Sequence, residues 1–333
     1  MSTNISISNV SPRRSIPGGE LLIETTGLHA DDSLQAEFLI DEQNCFATAV
    51  STKRAVITVP ELEEGGRSHL ALSINGVRSN TLPIVVGRKL LDGLHMVANP
   101  AVDPFDGSLM VTISGSRGQQ LSETLFRIET DGTVYPFPEA VMNPTGIAFD
   151  RNGRMFVSAR ATGEILCFSE NGTYTVHASN LGIPTGIAFG RDDHLYVGDR
   201  TGTIHRVSPD GEVTNFATLE PSVAAYHLAI GPEGRLYVTT PGFGGRDLIY
   251  RIDPDGSVLE FVRGLGRPQG LAFGGDGLLY VAASCGGRRG VVSVTSTGEA
   301  ELAVAGDGII GLCFAPTGSL IVATSDAVYS VDR

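Results

Sequence analysis

The pattern of hydrophobic and polar positions repeats along most of this chain. From about residue 98 onward, an apolar segment, a short polar turn and a second apolar segment recur, most clearly as NPTGIAFDRNGRMFVSAR, IPTGIAFGRDDHLYVGDR and RPQGLAFGGDGLLYVAAS. Short apolar runs bounded by glycine-containing turns predict β-strands. The turn position before the second segment recurs every 40 to 46 residues, at Gly107, Gly153, Asp193, Gly234, Gly277 and Gly318.

A second phrase follows the first in these repeats, as in LFRIETDGTVYPF and IYRIDPDGSVLEF. Its Asp-Gly or Asn-Gly pair supplies the positive backbone angles that a tight hairpin needs. Each repeat therefore predicts four antiparallel strands, which make one propeller blade, and the count predicts six blades in an all-β fold. The sixth copy ends at its third strand, VYSVDR. We expect its missing outer strand to come from residues 86–92, which would remove an open sheet edge.

Residues 1–86 do not follow the repeat, and we expect them to form a separate domain in front of a propeller at residues 87–333. Their short alternating segments, such as GELLIETTG and TLPIVV, predict a small β-sandwich. The segment resembles the IPT/TIG family of immunoglobulin-like domains in Ser11-Pro12, Pro17-Gly18-Gly19, Asn75-Gly76, Ser79-Asn80 and Pro83. This resemblance implies a spacer or an interaction module. Acidic residues outnumber basic ones here, so DNA binding is not expected.

The charge of the chain narrows the range of partners. With 24 basic and 37 acidic residues, the net charge is −13, which disfavours binding to nucleic acid or to anionic membranes. The first residues carry no apolar segment of the kind found in signal peptides. The four cysteines are widely spaced, without a CxxC pair. We therefore expect a cytoplasmic protein; the alternative is a secreted protein whose leader has been removed.

The phrase P-x-G-I-A-F-x-x-x-G-x-L-Y-V resembles the NHL repeat and, more broadly, the regucalcin/gluconolactonase superfamily of six-bladed propellers. The resemblance implies a fold with many functions, from calcium-dependent lactonases and streptogramin lyases to non-catalytic binding propellers. In the calcium-dependent members, Glu, Asn or Asp precedes the glycine of this phrase and faces a central channel. That position is occupied here by Asn99, Thr145, Thr185, Tyr226, Gln269 and Ile310.

This set contains no carboxylate, although calcium prefers carboxylate and other oxygen ligands. We therefore predict no cofactor, and we regard a calcium site as disfavoured. Asp92 and Asp103 are the alternatives in the loosely aligned first blade. The four remaining neutral polar members, Asn99, Thr145, Thr185 and Gln269, are candidate ligand-binding residues.

Two further groups of residues are candidates for chemistry. Tyr226 and His227 break the pattern of the inner strand, and they could form an acid/base couple or simply a differently packed blade. Arg160 and Arg200, which end second strands, could hold an anionic ligand. NHL-type repeats commonly carry an aspartate where Asp199 stands, so the resemblance favours a structural ion pair instead. Glycine-rich residues 241–246 (PGFGGR) and 284–289 (SCGGRR) are either borders of a binding mouth or plain long turns.

Two functions are compatible with these features. The first is a binding or scaffolding propeller that presents its channel mouth or rim to a protein, a peptide, a glycan or a small molecule. The second is an enzyme, a hydrolase or lyase acting on a small cyclic substrate with Tyr226, His227, Asn99, Gln269 and Arg200. Convergence of these side chains would favour the enzyme.

Overall fold

The computed structural model describes residues 5–93, 98–115, 119–222, 224–241 and 247–332. Strands make up nearly all of its regular structure, and the helical turn in these residues is the 3-10 helix Ala30–Gln35. No helix in the described ranges is long and apolar enough to cross a membrane. The predicted all-β fold is confirmed.

Ten strands belong to the N-terminal region. They are β1 (Ser6–Ser11), β2 (Arg14–Ser15), β3 (Glu20–Thr26), β4 (Ala36–Ile40), β5 (Gln43–Asn44), β6 (Phe46–Val50), β7 (Arg54–Thr58), β8 (Gly66–Ile74), β9 (Val77–Arg78) and β10 (Leu82–Val86).

The remaining strands form antiparallel units of four, which we number 1 to 6. Unit 1 is β12 (Ala101–Val102), β13 (Leu109–Thr112), β14 (Leu125–Ile128) and β15 (Val134–Pro136); unit 2 is β16 (Pro144–Phe149), β17 (Met155–Ala159), β18 (Glu164–Phe168) and β19 (Tyr174–Ala178); unit 3 is β20 (Pro184–Phe189), β21 (Leu195–Asp199), β22 (Thr203–Val207) and β23 (Val213–Thr218).

Unit 4 is β24 (His227–Ile230), β25 (Leu236–Thr240), β26 (Leu248–Ile252) and β27 (Val258–Arg263); unit 5 is β28 (Leu271–Phe273), β29 (Leu279–Cys285), β30 (Arg288–Val294) and β31 (Ala300–Ala305); unit 6 is β32 (Ile309–Phe314), β33 (Leu320–Thr324) and β34 (Ala327–Val331), together with β11 (Arg88–Asp92). The predicted pairing of the last strand with a segment near residues 86–92 is present, because β34 and β11 are antiparallel neighbours.

The turns explain why the units recur at these positions. All six turn residues that set the spacing in the sequence have positive φ, from +60° at Asp193 to +88° at Gly318. The Asp-Gly and Asn-Gly turns between third and fourth strands behave alike, with φ of +88° at Gly132 and +86° at Gly256. Glycine adopts this conformation without the steric cost of a Cβ atom, so these turns are encoded locally.

Hydrophobic clusters join each unit to the next. Met110 of unit 1 packs with Ile147 of unit 2, and equivalent clusters join units 2 and 3, units 3 and 4, units 4 and 5, and units 5 and 6. A further cluster joins Val328 of unit 6 to Leu109 and Val111 of unit 1. The apolar side chains that alternate along the strands are thus buried between sheets rather than within one.

The N-terminal strands form two sheets. One has the order β1-β3-β7-β6, and the other contains β4, β5, β8, β9 and β10. Leu21, Phe38, Ile57 and Leu70, among others, fill the space between them. Ala305 of β31 also belongs to this cluster, so the N-terminal core includes a residue of unit 5.

A continuous sheet connects the N-terminal region to unit 5. The two-residue strand β2 lies parallel to β10 on one side and to β31 on the other. The Ile16 N–H donates to the carbonyl of Ala305 at 2.9 Å, and the Gly87 N–H donates to the carbonyl of Ser15 at 2.7 Å. Ile16 is 1% exposed and packs in the hydrophobic cluster between units 5 and 6. The two parts of the chain are therefore docked through both backbone pairing and an inserted side chain.

Candidate functional site

The positions predicted to line a channel lie at the beginnings of the inner strands, where their backbone carbonyls link neighbouring units. The Thr112 hydroxyl donates to the Thr145 carbonyl at 3.0 Å. The Ser158 hydroxyl donates to the Thr185 carbonyl at 2.5 Å, and the Thr239 hydroxyl donates to the Gln269 carbonyl at 2.7 Å. Each of these hydrogen bonds joins one unit to the next, so the backbone carbonyls at the predicted positions hold neighbouring units together.

The side chains at these positions are used differently. The Thr185 hydroxyl donates towards the carbonyls of Gly198 and Tyr226 and accepts from the Tyr226 N–H at 3.1 Å. Asn99 bridges units 5 and 6, since its amide nitrogen donates to Leu271 and its oxygen accepts from the Leu312 N–H at 3.1 Å. Both side chains are therefore occupied by backbone groups.

Thr145 and Gln269 differ from these two residues. The Thr145 hydroxyl is buried without a hydrogen-bond partner in the described part of the chain. The Gln269 side chain is half-buried and borders a cleft on the surface. Of the four candidate ligand-binding residues on the inner strands, Gln269 is the one that the structure places at the wall of an open cavity described below.

Tyr226 and His227 occupy different environments. Tyr226 is fully buried, packs beside Gly198 and donates its hydroxyl to the Glu220 carbonyl, and burial raises its pKa. His227 takes the place that glycine has in units 2, 3, 5 and 6. It is 4% exposed, and burial lowers its pKa to about 4. The imidazole is therefore neutral at pH 7, and the phenol hydroxyl is bound to a backbone carbonyl.

The buried imidazole of His227 makes stability depend on pH. In the unfolded chain the group protonates near pH 6.5, whereas the folded protein resists protonation until about pH 4, so stability is lost as the pH falls through this window. Between pH 7.5 and pH 5 we expect this residue to lower the free energy of unfolding by about 2 kcal/mol. Urea unfolding of the wild type and of His227→Gln at both pH values measures this change. On going from pH 7.5 to pH 5, the free energy of unfolding of the variant should fall by about 2 kcal/mol less than that of the wild type.

Leu228 offers the control for this measurement, because it follows His227 on the same strand and carries no titratable group. Leu228→Val should retain the pH dependence of the wild type. An equal pH dependence in the wild type and His227→Gln would contradict the burial argument.

The residues at the ends of the second strands of units 2 and 3 bind nearby connecting loops. These residues are Arg160, Asp199 and Arg200. Arg160 donates to the Ser114 hydroxyl at 3.1 Å and to the Gly115 carbonyl at 3.2 Å. Asp199 accepts from the N–H groups of Ile183 and Thr201 at 2.8 and 3.1 Å. The backbone of Arg200 also bonds to Ile183, through its N–H. Asp199 thus fixes two connecting loops through backbone hydrogen bonds. The predicted structural ion pair at this residue stays a prediction.

The glycine-rich residues 284–289 extend a hairpin and do not form an open loop. Cys285 pairs with Arg288 across the turn, and Gly286 and Gly287 have φ of +58° and +81°. Arg288 reaches the N-terminal region, where it donates to the Ser11 carbonyl at 2.7 Å. In the other predicted loop, residues 242–246 lie outside the described residues.

A polar cleft of about 380 Å³ lies between units 5 and 6, where their inner strands begin. Its polar wall is formed by Arg267, Gln269, Ser284, Arg289, Asp307 and Ser325. Arg289 donates to Asp307 at 2.7 Å. The same two residues border a second cavity of about 230 Å³, which reaches Gly18, Glu20 and Thr58 of the N-terminal region. The cleft thus lies beside the junction of the two parts of the chain.

Sequence reasoning reached part of this cleft: it named Gln269 and Ile310 as channel positions and residues 284–289 as a possible border of a binding mouth, but it missed Arg267, Asp307 and Ser325. A signal was present: Arg267 precedes a proline where unit 2 has Asn143, in the phrases RPQG and NPTG. A larger groove of about 890 Å³ lies between units 1 and 2, bordered by Phe105, Phe168 and Tyr174. No group of three or more His, Cys, Asp or Glu residues suited to a metal ion occurs among the residues that the structure describes.

The sequence of this chain matches a known protein family. The sequence model of the virginiamycin B lyase family matches residues 118–302, which is more than half of the chain. The chain belongs to this family. No curated protein matches the sequence at a significant level.

Solved structures of members and neighbours of the family share its fold. A gluconolactonase from Xanthomonas campestris superposes with a TM-score of 0.62 at 17% identity, covering 74% of this chain and 89% of that protein. Virginiamycin B lyase from Staphylococcus aureus gives a TM-score of 0.54 at 16% identity, covering 72% of this chain and 95% of that chain.

An auxiliary nutrient binding protein from Bacteroides ovatus gives a TM-score of 0.59 at 12% identity. The superposition covers 99% of this chain and 98% of the nutrient binding protein. At these identities the likeness extends to fold alone, and it supports a propeller of the gluconolactonase and streptogramin lyase type.

Proposed function

We propose that units 1–6 are the blades of a six-bladed propeller with NHL-like repeats, and that the N-terminal strands form an IPT/TIG-like immunoglobulin domain docked beside it. The hydrophobic cluster between units 6 and 1 supports a closed ring, as does the pairing of β11 with β34. Two packed sheets with a shared core support a sandwich at the N-terminus.

Within this architecture, the protein is a binding protein for a small polar molecule or a glycan. The observation that carries this proposal is the polar cleft between units 5 and 6. Guanidinium, amide, carboxylate and hydroxyl groups converge there over an apolar floor that includes Ala282 and Ile309. Concave sites with a few convergent polar groups, next to a domain junction, are typical ligand sites. The nutrient binding proteins add support because they match both parts of the chain.

Filling the cleft tests this function. Ser325→Trp places a large ring in the cavity, whereas Ser257→Trp places the same ring on an exposed turn. We expect some members of a panel of sugars and organic acids to raise the melting temperature of the wild type and Ser257→Trp but not of Ser325→Trp. Absence of any stabilising ligand in the panel, or equal stabilisation of all three proteins, would overturn the proposal.

An enzyme is the second candidate, a hydrolase or lyase acting on a small cyclic substrate. The observation that favours it is the position of His227, a neutral imidazole that replaces the glycine of four other inner strands in a family named for a lyase. The predicted couple with Tyr226 is weakened, because the phenol hydroxyl bonds to Glu220. Turnover of lactones or virginiamycin B that is lost in His227→Gln would establish this function in place of the first.

A further inference from the structure

The backbone of Arg267 adopts a conformation that its residue type disfavours. Its φ is +47°, in the left-handed region. The equivalent residue of unit 2 is Asn143, which also stands directly before a proline and has a φ of +50°. Asparagine tolerates this region, whereas arginine pays a steric cost there. Non-glycine residues held in such conformations concentrate at functional sites.

The side chains of the equivalent residues Asn143 and Arg267 make different contacts. Asn143 is 1% exposed, and its amide donates to the Gly115 carbonyl at 3.1 Å, so it fixes a neighbouring unit. Arg267 is exposed at the cleft, and its backbone N–H donates to the Asp247 carboxylate at 2.8 Å. Its guanidinium makes no ion pair within the described ranges. The arginine therefore serves neither the packing role nor the loop-fixing role of the asparagine.

The charge of the cleft is opposite to that of the protein. The chain carries a net charge of −13, yet two arginines and one aspartate face this cavity, Arg267, Arg289 and Asp307. Asp307 is already occupied, since one carboxylate oxygen accepts from Arg289 at 2.7 Å and from the Gly308 N–H at 2.8 Å. The positive charge of Arg267 is thus left for a ligand, in a concave site that concentrates anions.

We propose that the ligand of this cleft carries a carboxylate, and that Arg267 binds it through its planar guanidinium fork, as in an acidic sugar. This inference rests on the binding function proposed above. Arginine matches a carboxylate with two parallel hydrogen bonds, which adds direction as well as energy. Gln269, Ser284 and Ser325 border the same cavity and supply partners for hydroxyl groups.

Matched acidic and neutral sugars test the inference. Glucuronate and galacturonate differ from glucose and galactose by one carboxylate, and calorimetric titration gives the affinity of each. For the wild type we expect the acids to bind at least tenfold more tightly than their neutral partners. Arg267→Asn should reduce this ratio to about one, and it should fold normally because asparagine suits this conformation.

Arg263→Asn is the matched control. Arg263 is an exposed arginine on β27, outside the cleft, so its substitution removes the same charge and should leave the acid preference intact. An acid preference that survives in Arg267→Asn, or that falls equally in Arg263→Asn, would overturn the inference. If acidic and neutral sugars bind equally and Ser325→Trp abolishes this binding, the inference that the ligand carries a carboxylate would be overturned. The proposed binding function would still hold. Failure of all four sugars to bind the wild type would count against both.

Discussion

Ile16→Ala is expected to lower the free energy of unfolding by about 3 kcal/mol, because it opens a cavity where two parts of the chain meet. Ile16 follows the two-residue strand β2 and is 1% exposed in a cluster with Val291, Val304 and Val331. Its side chain is packed so closely that a Cβ atom on Gly306 would lie 2.6 Å from it. Urea unfolding measures the loss.

The location of Ile16 gives this variant a second signature. Because Ile16 lies in the core between units 5 and 6, the substitution should weaken docking and raise the rate of proteolysis in the N-terminal strands. Ile7→Ala is the control: it is also 1% exposed, but it lies within the N-terminal core. Ile7→Ala should destabilise the two N-terminal sheets while leaving units 5 and 6 protected from hydrogen exchange. Identical exchange patterns for the two variants would show that Ile16 has no special part in docking.

Gly186→Ala is expected to destabilise the protein by about 3 kcal/mol, because units 3 and 4 approach each other too closely for a side chain. A Cβ atom on Gly186 would lie 2.4 Å from the Tyr226 carbonyl oxygen and 2.9 Å from the His227 Cα. The Gly186 N–H also donates to that carbonyl at 2.8 Å. The methyl group would therefore force apart two strands that share a hydrogen bond. Denaturant unfolding measures the change.

Gly275→Ala provides the comparison for this variant. Gly275 is exposed on a turn of unit 5, and nothing lies within 4 Å of a Cβ atom placed there. This substitution should leave stability unchanged or raise it slightly, because alanine restricts the unfolded chain. A stability of Gly186→Ala within about 0.5 kcal/mol of the control would mean that the inner strands can separate without cost.

The turns show how far local sequence specified the fold. Asp193 takes the place of a glycine in the spacing pattern, and it still adopts φ of +60°. The hairpin turn at Gly132 and its equivalents likewise follow from Asp-Gly or Asn-Gly pairs. Strand identity and spacing were predictable because each depends on residues only a few positions apart.

The candidate site was less predictable. The sequence indicated that Asn99 and Thr185 face a ligand, but their polar atoms bond to neighbouring strands. Residues 284–289 were predicted to be the border of a binding mouth or a long turn; they form a tight hairpin whose ends, Ser284 and Arg289, border the cleft. Which way a side chain at a strand end points depends on how the next unit packs against it. That packing involves residues distant in the chain, so no local pattern reveals it.

By itself, the sequence determined the repeat, the all-β architecture and the positions of the turns, because these follow from short-range steric preferences and alternating hydrophobicity. Only the tertiary structure decided that Ile16 enters the core between units 5 and 6, that His227 is neutral, and that Arg267 and Gln269 share a cleft. These properties arise from burial and from contacts between residues far apart in the chain. The physical reason is that desolvation and cavity shape belong to the packed assembly and not to any one segment of it.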